Sequence, residues 1–171
     1  MHSYVALLRA VNVGGTGKLP MSELKAMCER AGFAQVRTYI ASGNVVFGSA
    51  QPAARVKAGL EEALHAYAGK SVAVMVRTAA EMAAVLAANP FPGSAPNRTM
   101  AIFLDNAPAP DALDTVSGRQ NEELALGVRE IYVHYGDGIG DSKLKIPAAK
   151  EGTARNMNTV AKLVEMALER A

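Results

Sequence analysis

Apolar and polar positions along the chain follow rhythms whose order predicts the fold. Residues 4–11 are apolar on both faces apart from Arg9, as expected for a central strand covered on two sides. A glycine-rich loop, Asn12-Val13-Gly14-Gly15-Thr16-Gly17-Lys18, leads into a helix near 20–31, with Pro20 at its start and Gly32 as its stop. Strand 36–41, the turn Ser42-Gly43-Asn44 and strand 45–47 follow. A helix over 53–68, closed by Gly69, and a strand over 71–77 complete the set. The order strand, helix, strand, strand, helix, strand is the ferredoxin-like arrangement.

A Thr78/Glu81 capping box opens the next helix, which stops before Pro90. Residues 89–98 are rich in Pro, Gly and Ser and form the best internal boundary. A strand (99–104), a helix (111–118) and two strands (123–126 and 130–135) come next. Met157, Val160, Ala161, Val164 and Leu168 recur at helical spacing, so the chain ends in an amphipathic helix, which Thr153–Thr159 is expected to open. The expectation is an α+β protein of two subdomains, 1–88 and 89–171, forming one compact unit. Each resembles a ferredoxin-like fold, βαββαβ followed by α-βαββα. The repeat rests on element order, since the halves share no clear residue identity.

Composition narrows the functional classes. The 171 residues are 50% hydrophobic and 20% charged with a net charge of +2, ordinary for a soluble globular chain. No apolar run is long enough to span a membrane, and the first residues read as a strand and not as a signal peptide, so a cytoplasmic home without a membrane partner is expected. The single Cys28 permits neither an intramolecular disulfide nor a multi-cysteine zinc site, and beside Leu24 and Met27 it reads as a buried thiol. His2, His65 and His134 have no metal-ligand spacing, and no nucleophile elbow or Cys–His pair is visible. Neither metal nor cofactor is expected; the sequence leaves open whether the protein is an enzyme and what its oligomeric state is. Residues 1–86 carry 9 basic and 5 acidic side chains, residues 87–171 carry 9 and 11. Within the acidic half, Lys143, Lys145, Lys150, Arg155 and Lys162 stand against Glu151 alone.

Three polar motifs carry the candidate chemistry. The Asn12–Lys18 loop has Asn12 where a Walker A loop needs its first Gly, and Leu19 where it needs Ser or Thr, which argues against an NTPase. Gly14 and Gly15 still allow backbone N–H groups to approach an anion, with Lys18 supplying charge. In the inferred topology the end of the first strand and the Ser42-Gly43-Asn44 turn share one sheet edge, which brings Asn12 and Gly14 near Ser42 and Asn44. The third motif is the start of the last helix. There, free N–H groups beside Arg155, Asn156 and Asn158 would favour an anion.

Tyr4-Val-Ala-Leu-Leu-Arg-Ala-Val-Asn-Val-Gly-Gly15, Thr38-Tyr-Ile-Ala-Ser-Gly-Asn-Val-Val-Phe47 and Thr153-Ala-Arg-Asn-Met-Asn-Thr-Val160 occur in an order that resembles the bacterial family catalogued as domain of unknown function 1697. Ser142-Lys143-Leu144 looks like a further family element. The resemblance implies an α+β fold of two subdomains similar to the ferredoxin-like fold, and it assigns no activity. Ala10 and Met157 depart from it, standing where many relatives have Gly and Trp.

The leading functional expectation is a protein that binds a nucleotide or phosphate metabolite. Its pocket would gather Asn12, Gly14, Gly15, Lys18, Ser42, Gly43, Asn44, Lys143, Arg155, Asn156 and Asn158. Single-stranded nucleic acid, stacking near Arg9, Arg37, Tyr39 and Phe47, is the alternative partner. A structural module without ligand is the third expectation.

Overall fold

The computed structural model describes residues 1–12, 18–136, 139–140 and 142–169. It is α+β, with two four-stranded antiparallel sheets and four α-helices among the described residues. Contacts divide it into one unit of Met1–Ala83 with Lys162–Ala171 and a second of Ala84–Ala161. Gly14, Gly15 and the rest of 13–17 lie outside the described residues, as do Asp137 and Asp141.

In the first unit the chain runs β1 (His2–Leu8), α1 (Met21–Arg30), β2 (Ala34–Thr38), β3 (Asn44–Ser49), α2 (Ala53–Ala68) and β4 (Val74–Thr78). The sheet order is β2-β3-β1-β4. β1 pairs with β3 from His2↔Ser49 to Leu7↔Asn44, and with β4 from Tyr4↔Thr78 to Leu8↔Val74. Because side chains alternate across a strand, Tyr4, Ala6, Leu8, Val45, Phe47, Val74 and Val76 form one apolar face. It packs with Leu24, Met27 and Cys28 of α1 and Val56, Leu60 and Leu64 of α2. Phe33 stacks on Phe47 at 4.3 Å. Cys28 is the inert thiol expected: burial, reinforced by Glu29, pushes it up to about 12. Lys57 and Glu61 on α2 reach β4, where Lys57 donates to the Val74 carbonyl and Glu61 accepts from the Val74 N–H. The Thr78/Glu81 capping box forms both reciprocal bonds, at 2.9 and 3.1 Å, and starts α3 (Ala79–Ala87).

The second unit contains β5 (Thr99–Phe103), β6 (Glu123–Leu126), β7 (Glu130–His134) and β8 (Thr153–Asn156), in the order β6-β7-β5-β8. Its sheet repeats the strand order of the first, but its cover differs. Where a helix over 111–118 was expected, only a 3-10 turn, Ala112–Thr115, forms. Pro108 and Pro110 lie just ahead and Gly118 just after, too short a span for a helix nucleus. Leu113, Leu144, Ile146 and Ala149, carried by such turns and loops, therefore cover Ile102, Leu104, Ile131 and Val133.

The larger correction concerns the start of the last helix. Thr153–Asn156 is a strand, paired with β5 from Met100↔Asn156 to Phe103↔Thr153, and α4 runs only over Met157–Glu169. Asn156 is its cap: Oδ1 accepts the Thr159 N–H at 2.9 Å.

The register also exposes a residue-level echo between the halves. β4 and β8 are each edge strands next to the first strand of their sheet, and each ends in a buried arginine followed by a helix cap: Arg77-Thr78 and Arg155-Asn156. Arg77 Nη1 donates to the Val76 carbonyl at 3.1 Å, and Arg155 Nη1 to the Ala154 carbonyl at 2.9 Å.

The loop after β7 is pinned by a carboxylate. Ser142 Oγ donates to Glu122, which also accepts the Gln120 N–H at 2.6 Å, and Ser117 and Lys145 form an isolated bridge. These bonds, the one from Ser142 foremost, hold the Glu122 carboxyl below the usual range. A carboxyl lowered on folding adds stability above its unfolded value of about 4.3, and the gain is lost as pH falls through the lower folded value. Melting temperature is expected to fall more steeply from about pH 5 to about pH 3 in the wild type than in Ser142→Ala, where the main cause of the lowering is gone. Parallel slopes would contradict the pin.

Candidate functional site

The end of β1 and the β2–β3 connection in the first unit are unusual pieces of backbone. Ala10 (φ 55°), Asn12 (φ 55°) and Ile40 (φ 50°) all adopt the left-handed conformation without being glycine. Each such residue costs about 1–2 kcal/mol. The position of Ala10 is one where glycine would be free of strain, in keeping with the glycine that the family resemblance implies there. Strained positions of this kind gather where the surroundings over-determine the backbone, often at binding sites.

Asn12 supplies much of that determination. Its Nδ2 donates to the Leu19 carbonyl at 2.9 Å and to the Ala41 carbonyl at 2.8 Å, while Oδ1 accepts the Leu19 N–H at 2.6 Å. One amide thus ties the end of β1, the far end of the glycine-rich loop and the β2–β3 turn. Of the convergence of Asn12 and Gly14 with Ser42 and Asn44 expected from topology, the described part is the bond from Asn12 to Ala41, the residue before Ser42; Gly14 lies outside the described residues. Asn44 is fully buried and donates to the Tyr39 carbonyl at 2.8 Å and to Ser42 Oγ at 2.9 Å. Gly43 (φ 92°) closes the turn, with its carbonyl accepting the Leu8 N–H at 2.9 Å. Asn12 and Asn44 therefore spend their amides on the chain itself.

Beside this knot lies a cavity of about 420 Å³, within the usual size range of small-molecule sites. Its floor is apolar and buried: Val11, Leu19, Leu64 and Val72. Lys18, Lys70 and the half-exposed ring of Tyr67, from the last turn of α2, stand at its edge. Ala10 and Ala68 complete the wall, and no carboxylate is among the described lining residues. Tyr67 falls there as part of the last turn of α2, and Lys70 and Val72 because Gly69, in the left-handed conformation (φ 72°), stops the helix and turns the chain towards β4.

Lys143, Arg155, Asn156 and Asn158 belong to the other unit. Lys143 and Asn158 are exposed there. Arg155 is not a donor on an open helix terminus. It is 6% exposed on β8, and its Nη1 donates to Thr153 Oγ1 at 2.7 Å as well as to Ala154. Burial pushes the guanidinium down to about 10, which leaves it charged at neutral pH. Asn and Thr in the motif mark a cap and a strand end; their low helix propensity was the available signal.

Two further expectations meet the geometry. Phe47 is fully buried under the helices and offers no face for base stacking, while Arg37 is ion-paired to Glu169 at 2.8 Å. His134 Nδ1 lies 3.1 Å from Thr99 Oγ1. Among the described residues no group of three or more His, Cys, Asp or Glu side chains could hold a metal, and no helix is long and apolar enough to cross a membrane. What sequence reading missed is Tyr67 and Lys70, which lie beyond any recognisable motif and become neighbours of Lys18 only through the fold.

Residues 1–132 match the model of a family described as "Protein of unknown function (DUF1697)". No curated protein matches the chain in sequence. Among solved structures, a conserved bacterial protein from Streptococcus pneumoniae is similar over 97% of this chain and 98% of its own, with TM-score 0.81 and 24% identity. That likeness shows the fold.

Proposed function

The chain belongs to the DUF1697 family, whose description assigns no activity, and from its own residues we propose that it binds a small anionic ligand, a nucleotide or phosphate metabolite, in the cavity beside the end of β1. The observation that carries this reading is two lysines, Lys18 and Lys70, at the edge of a concave apolar surface with no carboxylate among the described lining residues. Such a surface concentrates anions, and its low-dielectric wall strengthens each charge contact. Asn12, Ser42, Gly43 and Asn44 serve the site by fixing its backbone. Arg155 and Asn156 are scaffold in this reading, engaged by their own strand and by the cap of α4.

We infer further that each sheet with its cover follows a ferredoxin-like plan. The strand orders β2-β3-β1-β4 and β6-β7-β5-β8 support this, with the first crossover helix of the second unit reduced to a 3-10 turn. A single buried thiol fits a reducing, cytoplasmic setting.

A thermal-shift panel of phosphate, sugar phosphates and nucleotides at low salt tests the ligand reading. A ligand at 100 times its Kd adds about 2.7 kcal/mol. The shift is expected to shrink as salt rises and to disappear in the Lys18→Ala/Lys70→Ala double variant. An equal shift in that variant, or none with any anion, would count against the proposal.

A further inference from the structure

Resting on that reading, we propose that the ligand is a planar aromatic anion of the nucleoside monophosphate class, its ring lying on the apolar floor against Tyr67 and its phosphate meeting Lys18 and Lys70. A bare inorganic anion would use only the lysines. It would leave Val11, Leu19, Leu64 and Val72, each no more than 9% exposed, to wall an emptier space of about 420 Å³. Apolar surface gains from contact only when the ligand brings an apolar part of its own. Tyr67 lines this cavity and is 46% exposed, so packing has not consumed the whole of this aromatic side chain. Flat aromatic faces favour offset stacking on another ring, and nucleobases stack on tyrosine without requiring a base-specific hydrogen bond. Two cations on a cavity with no carboxylate among its described lining residues match a dianionic phosphate better than a neutral nucleoside.

Calorimetric titration of the intact protein with AMP, ribose 5-phosphate and inorganic phosphate separates the contributions. AMP is expected to bind at least about tenfold more tightly than ribose 5-phosphate, the size of one stacking contact. Tyr67→Ala should remove that advantage while leaving ribose 5-phosphate within about twofold of wild type, and Tyr67→Phe should restore it. Because Tyr67 is half-exposed, these variants are expected to fold, which their melting curves check. Equal affinity for AMP and ribose 5-phosphate, or an AMP preference that survives Tyr67→Ala, overturns the aromatic assignment and leaves anion binding standing. Failure of all three to bind overturns both.

Discussion

Replacing Gly43 by alanine is expected to destabilise the protein by about 3 kcal/mol, for two reasons that add. At φ 92° any L side chain is strained, which costs about 1–2 kcal/mol. A methyl group there would also lie 2.6 Å from Val11 Cγ2 and 2.9 Å from Leu8 Cβ. Neither neighbour can yield freely: Leu8 is a core residue, and its N–H is bonded to the Gly43 carbonyl. Overpacking of this kind costs about 1–3 kcal/mol. Gly32 supplies the control, since it too has a positive φ (88°) but nothing within 4 Å of an added methyl. Gly32→Ala should lose only the conformational part, about 1 kcal/mol. Urea unfolding of both variants measures the difference. Equal losses would show that the contact with Val11 and Leu8 is not tight. Since Val11 forms part of the cavity floor, Gly43→Ala should also weaken anion binding, whereas Gly32→Ala should not.

The second large effect is expected at Asn12. Asn12→Ala removes three hydrogen bonds and places a Cβ residue without a compensating amide at φ 55°. Each bond is worth about 1 kcal/mol net, but the site is half-exposed and water can reclaim part of it, so a loss of about 2–3 kcal/mol is expected. Asn12→Gly relieves the backbone strain while also deleting the amide, and should recover about 1 kcal/mol of that loss. Asn12→Asp keeps the acceptor for the Leu19 N–H but turns a carboxylate towards two carbonyl oxygens, and should be at least as damaging as alanine at pH 7. A ranking with glycine worst would mean that the amide does not hold this backbone together.

Much of the first unit was legible from periodicity. α2 occurs at the expected residues, and the capping box at Thr78 and Glu81 forms as its spacing requires. Pro20 with Gly32, and Gly69, gave true helix limits because local stereochemistry acts whatever the tertiary context. β8 was not legible. Four residues, Thr153–Asn156, beside a strongly amphipathic run look like its first turn, and only pairing with β5 decides otherwise. The 111–118 segment failed in the same sense, since a helical reading there ignored how little chain lay between the prolines and Gly118.

For the candidate site, sequence located the knot but misjudged its parts. The polar residues that drew attention, Asn12 and Asn44, turn inward to the backbone. The cavity edge instead includes Tyr67, at the end of α2, and Lys70, which lies just past the point where Gly69 redirects the chain. Arg155 drew attention for its charge and proved to be a buried strand residue. The arginine-plus-cap echo with Arg77 was invisible without register, because nothing around the two pairs is alike.

The most direct test is to follow backbone amide shifts of 15N-labelled protein during titration with AMP. The largest changes are expected at Ala10, Val11, Leu19, Lys70 and Val72, and Lys70→Ala should diminish them. Changes centred on Ser142–Leu144 or on Arg155–Asn158, or none at saturating AMP, would contradict a binding site beside the end of β1.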